Sequence, residues 1–431
     1  DMKFVLASHN KGKLREMAAI LGELGIEVEA LPEADVRHDL AGRILMPGMI
    51  SSHCHFYGQF VRGMPLSEPI YNWQQYLSRM WWRVDKALDE RQTYYSALMG
   101  LVEGLKAGTT TYFDHQASPN YITGSLDTIE RAMRAVGGRG CLAYEVTDRD
   151  GAERAARGIA ENERYIRAHQ AEGDRFRGIF GLHASYSLSA ETLERSSAVG
   201  NALNAGFHIH MAESEADVSD CYRRFDMHVV ERLHEAGILG EKTITAHNVH
   251  LKPRHFGILR ETGVTAAHNV QSNTNTAVGI CPVVPLMDAG VHVALGGDGY
   301  TYDLFTELGF ASIQQHIGQN DCSVFSGKQI LDMAFTNNQR LAKRIFGYEV
   351  GVLRPGAAAD FLILDYDPPT PLHAGNVLSH MTSGFSGHVD TVVCDGETVV
   401  ERHHCTRVDE KEIFAGCRAE AQRLWDSLAA Q

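Results

Sequence analysis

Two histidines stand one residue apart in the stretch MPGMISSHCHFYG, which runs from residue 46 to residue 58. Residues at i and i+2 lie on the same side of an extended strand, so His53 and His55 can present two imidazole nitrogens in one direction. Such a pair suits a metal site, although a chain with 22 histidines also places some of them two apart by chance. The interpretation therefore depends on what else the fold brings to these two residues.

Eight short β-rich runs alternate with stretches of helical period, a pattern that predicts a parallel sheet with helical crossovers. Eight strands and eight crossovers within about 300 residues predict an α/β fold of the TIM-barrel, (β/α)8, type. The runs are 44–51, 109–115, 140–147, 176–184, 206–212, 243–249, 264–270 and 292–298. The predicted helices between them include 91–106, 125–136 and 189–204.

Segments outside the barrel are predicted to form further structural elements. Segments 359–367 and 389–404 have strand patterns, the second as a hairpin with Asp395 and Gly396 at its turn. The long excursion from residue 56 to 108 is interpreted as a lid or, equally, as packed helices. We predict an atypical N-terminal segment at 1–43, the barrel at 44–348, a small β domain at 349–408 and a C-terminal helix at 409–431.

The strand ends are where a TIM barrel carries its functional side chains. Six of the eight runs end in histidine and the eighth ends in aspartate, a joint placement that chance explains poorly. The strand-end residues are His53, His55, Asp114, His115, His183, His210, Glu213, His247, His268, Asn269 and Asp298.

Four of these residues form a predicted ligand set of three neutral imidazoles and one carboxylate. Such a set suits Zn²⁺, with Fe²⁺ as the alternative, at about 2.0–2.2 Å and leaves one position for water. A bound metal lowers the pKa of that water toward ~7, which predicts metal-bound hydroxide as the nucleophile. The ligands are His53, His55, His210 and Asp298. Glu213 is placed to move protons without ligating, and His247 to hydrogen-bond the hydroxide.

Other residues near this set have simpler interpretations. His115 and His268 are interpreted as structural or pocket-lining, and His208 is expected one layer deeper in the barrel than His210. Asn269 orders a loop or binds substrate. The paired tryptophans at 81 and 82 are interpreted as packing anchors, with ring stacking on a substrate left open.

The composition excludes several classes of partner. A formal charge of -14 without any Lys/Arg-rich run argues against nucleic acid or an anionic membrane, and a small neutral or cationic ligand fits better. The eight scattered cysteines indicate neither a disulfide scaffold nor a zinc ribbon, and a reducing cytoplasm is the expected location. No apolar run approaches the roughly 18 residues that span a bilayer.

Several motifs together resemble the amidohydrolase superfamily, in its cytosine/guanine deaminase and chlorohydrolase-like branch. They are PGMISSHCHFYG, HIHMAE, ITAHNVHL, HNVQSNTN, LGGDG and GVLRPGAAADFLILD. Within that branch MWWRVDKALDE, YFDHQASPNYITGSL and DYDPPTPL resemble the SsnA aminohydrolases. The resemblance covers about residues 40 to 428 and implies a small β-sandwich domain, built from the chain ends, beside the barrel.

The resemblance also implies roles for individual residues. It assigns one divalent metal to the four ligands, proton handling to Glu213, His247 and Asp298, and a substrate contact to His183. Because binuclear branches carry a metal-bridging lysine where this chain has His183, a mononuclear site is implied. The substrate-binding candidates are His183, Gln59, Asp114, His115 and Asn269.

The predicted function is hydrolytic deamination of an amino-substituted N-heterocycle: a purine, pterin, pyrimidine or triazine. The alternatives are hydrolysis of another C–N or C–Cl bond on such a ring, and a metal-free scaffold protein. Large barrels of this kind commonly pair, and a homodimer is one assembly that the sequence leaves open. Residues 2–31, by contrast, resemble the N-terminus of pyrophosphatases that act on non-standard purine nucleoside triphosphates. The rest of that fold is absent, and we expect no such activity.

Overall fold

A computed structural model describes residues 3–6, 27–30 and 40–430, and the chain divides into two compact units, 1–42 and 43–431. In the first unit, Lys3–Leu6 and Glu27–Ala30 pair as parallel strands with Lys3 opposite Glu27. Both strands fall within the pyrophosphatase-like segment, residues 2–31. Residues 7–26, which make up most of that segment, lie outside the described residues.

The described residues contain sixteen strands, sixteen α-helices and four short 3-10 or π-helical segments. The strands are β1 (Lys3–Leu6), β2 (Glu27–Ala30), β3 (Ile44–Pro47), β4 (Met49–Cys54), β5 (Thr109–Gln116), β6 (Arg139–Tyr144), β7 (Phe176–Gly178), β8 (Phe180–Ala184), β9 (Phe207–Met211), β10 (Ile244–His247), β11 (Thr265–His268), β12 (His292–Leu295), β13 (Phe361–Leu364), β14 (Val389–Cys394), β15 (Glu397–Glu401) and β16 (His404–Cys405). The α-helices are Trp73–Tyr76, Trp82–Ala87, Glu90–Lys106, Ser125–Val136, Ala152–Ala168, Ala190–Ala202, Glu215–Phe225, Val229–Glu235, Pro253–Thr262, Val270–Asn275, Val283–Asp288, Leu304–Gln319, Gly327–Leu331, Asn337–Phe346, Val377–Gly384 and Glu410–Ala429.

The second unit contains the predicted barrel. Strands β4 to β7 and strands β8 to β12 form two parallel sheets in sequence order. They close on each other through a bridge between Cys54 and Asp298 and another between Val146 and Leu182. At the first junction the His53 carbonyl accepts N–H bonds from Gly297 at 3.1 Å and Asp298 at 3.0 Å. The (β/α)8 prediction is thus confirmed, with β7 and β8 together forming its fourth strand.

The first predicted strand, 44–51, is wrong as a single element. Ile44–Pro47 pairs antiparallel with Phe361–Leu364 in a different sheet, and only Met49–Cys54 belongs to the barrel. The chain passes between the two sheets at Gly48, where a Cβ atom would lie 2.5 Å from Oγ1 of Thr110. A continuous apolar run does not reveal this change of partner, because the partner strand lies more than 300 residues away in the sequence.

The small β domain consists, in the described residues, of one five-stranded antiparallel sheet in the order β16, β15, β14, β13, β3. Its predicted hairpin is confirmed: Asp395 and Gly396 join β14 to β15 with φ values of 54° and 80°. Both left-handed residues suit the twist of a two-residue hairpin. The buried guanidinium of Arg139 in β6 pairs with Asp360 and Asp395 and ties this sheet to the barrel. The remaining predicted domain limits stay predictions.

The excursion between β4 and β5 is helical for most of its length. Its longest helix, Glu90–Lys106, begins with a capping box formed by Asp89 and Gln92. The C-terminal helix Glu410–Ala429 joins the excursion through a hydrogen bond from Trp425 Nε1 to the Phe60 carbonyl, 2.8 Å. Among the described residues, the structure contains no helix with both the length and the apolar character needed to cross a bilayer.

Candidate metal centre and active site

Three imidazoles and one carboxylate converge at the C-terminal end of the barrel. His53 lies in β4, His55 directly follows that strand, His210 lies in β9 and Asp298 follows β12. Nε2 of His55 lies 3.1 Å from Nε2 of His210 and 3.2 Å from Oδ1 of Asp298. Nε2 of His53 lies 3.6 Å from the same Oδ1. Four strand-end residues that the sequence places far apart therefore face one point.

The other ring nitrogen of each histidine has an acceptor. Nδ1 of His55 lies 2.6 Å from the carbonyl of His115, and Nδ1 of His210 lies 2.9 Å from the carbonyl of His183. Nδ1 of His53 lies 2.8 Å from Nε2 of His208, which occupies the deeper layer expected for it. When each Nδ1–H donates to its acceptor, all three Nε2 atoms carry free lone pairs, the arrangement of metal-binding histidines.

The spacing of these atoms fits one divalent metal ion. Tetrahedral ligands at about 2.05 Å from a metal are about 3.3 Å apart, and the three separations given above run from 3.1 to 3.6 Å. Nε2 of His53 is buried and has no hydrogen-bond partner, as a ligand atom would. Burial opposes a charge on His55, yet the hydrogen bond and charge of Asp298 raise its pKa to about 9. Burial lowers the pKa of His53 to about 3 and holds the pKa of His210 well below its usual value, so these two imidazoles are neutral, as metal ligands must be.

Two further ionisable groups lie beside this point. Glu213 Oε1 accepts a hydrogen bond from Trp73 Nε1 at 2.9 Å, and its Oε2 lies 3.9 Å from Nε2 of His247. That imidazole is oriented by a bond between its Nδ1 and Oδ1 of Asn273, 2.8 Å, and its Nε2 lies 3.8 Å from Asp298 Oδ2. Burial raises the pKa of Glu213 above its usual value, which favours the protonated carboxyl more than in an exposed glutamate.

Two residues of the site have a left-handed backbone. His247 has φ of 74° and Asp298 has φ of 55°, the region that side chains with a Cβ rarely adopt. His247 ends β10 and Asp298 lies three residues after β12, and their side chains approach each other at 3.8 Å. Strain of this kind persists where the surrounding structure over-determines it, as at functional sites.

The pocket above these groups has an aromatic wall from the excursion. The ring centroids of Trp81 and His55 lie 6.1 Å apart. Gly58 and Gly299 flank its indole so closely that added Cβ atoms would lie 2.1 Å and 2.5 Å from the ring. The aromatic residues that line the pocket are Tyr57, Trp73, Tyr76, Trp81 and Trp82. The paired tryptophans expected as anchors therefore face the pocket, and the excursion forms one of its walls.

The five predicted substrate contacts are distributed unevenly. His183 lines the pocket, and its Nδ1 bonds Ser187 Oγ at 2.7 Å. The other four lie behind the strand ends, outside the lining, and their substrate role stays a prediction. Gln59 donates to the His55 carbonyl at 3.0 Å, and Asp114 accepts the Phe56 N–H at 2.8 Å. His115 stacks on His208, and Asn269 is fully buried.

Several pocket residues were missed by the sequence reasoning. Glu145 lies just after β6, with Oε1 3.4 Å from Nδ1 of His55, and burial raises its pKa to about 8. The same strand-end rule that selected the histidines would have found it, since it lies within the third predicted run. Arg149, paired with Asp85 at 2.5 Å, and Trp73 carry no comparable sequence signal.

Comparison with known proteins identifies the family. The sequence model of the Amidohydrolase family matches residues 44–399. The chain belongs to the amidohydrolase family. The matched range includes every predicted ligand and both proton-handling residues, so the resemblance drawn from the motifs is confirmed.

This amidohydrolase is similar over most of its length to named deaminases. It is 31% identical to the 5'-deoxyadenosine deaminase of Methanothermobacter thermautotrophicus, covering 91% of this chain and 90% of the relative. It is 30% identical to the 5-methylthioadenosine/S-adenosylhomocysteine deaminase of Desulforudis audaxviator, with coverage of 92% and 90%. The subgroup likeness to SsnA stays a prediction.

Solved structures share the fold at lower identity. An adenosine deaminase from Xanthomonas campestris with bound zinc superposes with a TM-score of 0.79 at 21% identity, covering 92% of this chain and 88% of the other. Zinc-complexed atrazine chlorohydrolase from Arthrobacter aurescens gives a TM-score of 0.75 at 21% identity, with coverage of 88% of each chain.

Proposed function

We propose that this amidohydrolase is a metal-dependent deaminase that replaces the amino group of an adenine-type ring with oxygen. The observation that carries the proposal is the convergence of three imidazole Nε2 atoms and Asp298 beside the half-buried carboxyl group of Glu213. The similarity to deaminases of 5'-modified adenosines supports an adenine nucleoside with a modified 5' position as the substrate class.

The proposed ligands are His53, His55, His210 and Asp298, and Zn²⁺ is the proposed ion, with Fe²⁺ as the alternative. A bound divalent ion supplies Lewis acidity that lowers the pKa of a water molecule to about 7. The acceptors on Nδ1 of each histidine fix the tautomer that ligation requires.

Proton transfer is assigned to Glu213. Its free Oε2 faces the site, and its raised pKa suits accepting a proton from the attacking water and delivering it to the ring nitrogen. His247 Nε2 is proposed to hydrogen-bond the attacking oxygen, and Asp298 Oδ2 to share the proton. A C–O bond forms at the amine-bearing carbon, the C–N bond breaks, and the nitrogen leaves as ammonia after gaining a proton.

The pocket walls suit a planar heterocycle. The five aromatic side chains provide flat apolar faces for stacking. His183 Nε2 is proposed to contact the substrate ring, because its Nδ1 is held by Ser187. A homodimer, the cytoplasmic location and the absence of nucleic-acid or membrane partners remain proposals from the sequence.

The test is ammonia release by metal-quantified protein from adenosine, 5'-deoxyadenosine, 5'-methylthioadenosine and S-adenosylhomocysteine, with guanine, pterin, cytosine and triazine compounds as contrasts. Ammonia from the adenine nucleosides supports the proposal. Glu213→Gln should keep the metal and lose about 10⁴-fold in kcat, because the amide cannot move the proton. A fully active variant would remove that residue from the mechanism.

Other products would point to the alternatives. Chloride or an alkylamine from substituted triazines would indicate hydrolysis of another ring substituent. Protein that retains no metal after purification with added zinc, and binds heterocycles without turnover, would favour the scaffold alternative.

A further inference from the structure

A single hydrogen bond joins the excursion to the proposed proton-transfer group. Trp73, only 7% exposed, donates its Nε1–H to Oε1 of Glu213 at 2.9 Å, across 140 residues of sequence. We propose that Trp73 is a positioning residue: it holds the Glu213 carboxylate in the orientation for proton transfer and makes that orientation depend on the docked excursion. Only one consequence of this proposal, the loss of kcat when the hydrogen bond is removed, rests on the proposed function.

The two oxygens of Glu213 have different surroundings. Oε1 faces the indole N–H, whereas Oε2 faces Nε2 of His247 at 3.9 Å. The last torsion of a glutamate side chain is broad and roughly two-fold, so a carboxylate without a fixed donor samples many orientations. A donor on one oxygen therefore selects the direction in which the other oxygen points.

The indole itself is firmly placed. Trp73 is the first residue of the helix Trp73–Tyr76, whose N-terminus is capped by Asn72 through the Gln75 N–H. Its ring meets the ring of Tyr186 edge to face, with centroids 5.6 Å apart. Tyr186 follows β8 and Glu213 follows β9, so Trp73 contacts two different loops at the catalytic end of the barrel.

Trp73 also lines two cavities. One is the catalytic pocket, and the other is an outer cavity formed with Tyr71, Ser214, Glu215 and His250. Displacement of the excursion would release Glu213 and open the catalytic pocket toward the outer cavity at the same point. Proton transfer would then be efficient only while the pocket is closed, which keeps water from competing in the open state.

The kinetic test compares two identical substitutions. Trp73→Phe keeps an aromatic wall and removes the N–H, so kcat should fall about tenfold while KM stays within about twofold and metal content is unchanged. Trp425→Phe is the control, because it removes an indole N–H bond of similar length to the Phe60 carbonyl, outside the pocket. The inference fails if Trp73→Phe keeps its kcat, if KM carries the loss, or if the control loses as much.

A second test needs no substrate. Amide hydrogen exchange of peptides covering residues 70–81 is compared in metal-loaded wild type, Glu213→Gln and Glu213→Ala. The glutamine amide oxygen can still accept the indole N–H and should retain protection, whereas alanine should increase exchange about tenfold. Equal protection in all three proteins would overturn the coupling, even if deamination itself is established. If no ammonia is formed from any substrate, this result still decides whether Glu213 holds the excursion.

Discussion

The candidate site has two walls, and they are built in different ways. The barrel wall consists of His53, His55, His210 and Asp298, at the ends of strands that are hydrogen-bonded into a closed barrel. The excursion wall consists of Trp73, Tyr76 and Trp81, on short helical segments of the 56–108 insertion. Atoms that must be fixed to a few tenths of an ångström come from the barrel, while the insertion supplies shape and closure.

The difference follows from how each wall is held. On the barrel wall, the backbone of His53 receives two N–H bonds from the strand-end loop of Asp298, and each histidine ring is fixed through Nδ1. On the excursion wall, positions depend on side-chain packing, as between Trp81 and the two glycines that flank it. Damage to the barrel wall should therefore remove the chemistry, and damage to the packing of the excursion wall should alter substrate use. Trp73 is the exception on the excursion wall, because its N–H acts on the barrel residue Glu213.

The largest loss of metal and activity is expected when a proposed metal-binding residue of the barrel wall is replaced. His55→Ala removes one Nε2 from the centre, so metal content measured by mass spectrometry should fall below about 0.1 per chain and kcat/KM by about 10⁴-fold. Treating the wild type with a chelator should reproduce the loss, and added zinc should restore activity only to the wild type. The exposed His404→Ala is the matched control; full metal content in His55→Ala would refute the ligand assignment.

A smaller loss of metal affinity is expected when a residue one layer behind the proposed metal-binding residues is replaced. His208→Ala removes the acceptor of His53 Nδ1–H and should weaken metal affinity by about 10- to 100-fold, as measured by competition with a chromogenic chelator. His208→Gln offers an amide oxygen to the same N–H and should lose less. Unchanged affinity in both variants would mean that His208 serves packing alone.

On the excursion wall the expected change is in substrate binding. Gly58→Ala places a Cβ atom 2.1 Å from the Trp81 ring, which must move. We expect KM to rise about tenfold with metal content and metal affinity unchanged, because the barrel wall is not touched. Loss of metal in Gly58→Ala would contradict the separation of the two walls.

The smallest effect, a change in stability alone, is expected from a substitution outside both walls. Gly257 lies inside the helix Pro253–Thr262, and an added Cβ there meets no atom within 4 Å. Gly257→Ala should raise the free energy of unfolding by about 0.5–1 kcal/mol in a denaturant titration, because alanine restricts the unfolded chain and favours helix. Its kinetics should match the wild type, which makes it the control for the glycine substitution above.

Much of the fold could be predicted because its signals are local. Ser125–Val136 was predicted with its observed limits, since a glycine follows an amphipathic stretch. The hairpin at Asp395 and Gly396 was predicted from its turn residues alone. The split between β3 and β4 could not be predicted, because both halves are apolar and only long-range pairing distinguishes them.

The candidate site likewise contains residues that could be predicted from the sequence and residues that could not. Strand ends carrying histidine or aspartate could be recognised from the sequence, because residue type and the two-residue period of a strand depend only on neighbouring positions. Gln59, Asp114, His115 and Asn269 lie outside the pocket lining. Gln59 and Asp114 are held there by hydrogen bonds to the backbone of His55 and Phe56, contacts that the local sequence pattern does not predict. Trp73 was not singled out, because a tryptophan in an amphipathic helical segment has the pattern of an ordinary packing residue.

The sequence by itself therefore determined which residues can bind a metal and that a barrel would bring them to one end. Only the tertiary structure decided how each is oriented: the His208 acceptor lies 155 residues from His53, and Trp73 lies 140 residues from Glu213. Periodicity and residue type act over a few positions of the chain. Hydrogen bonds between distant loops depend on the packing of every element between them, which no local pattern records.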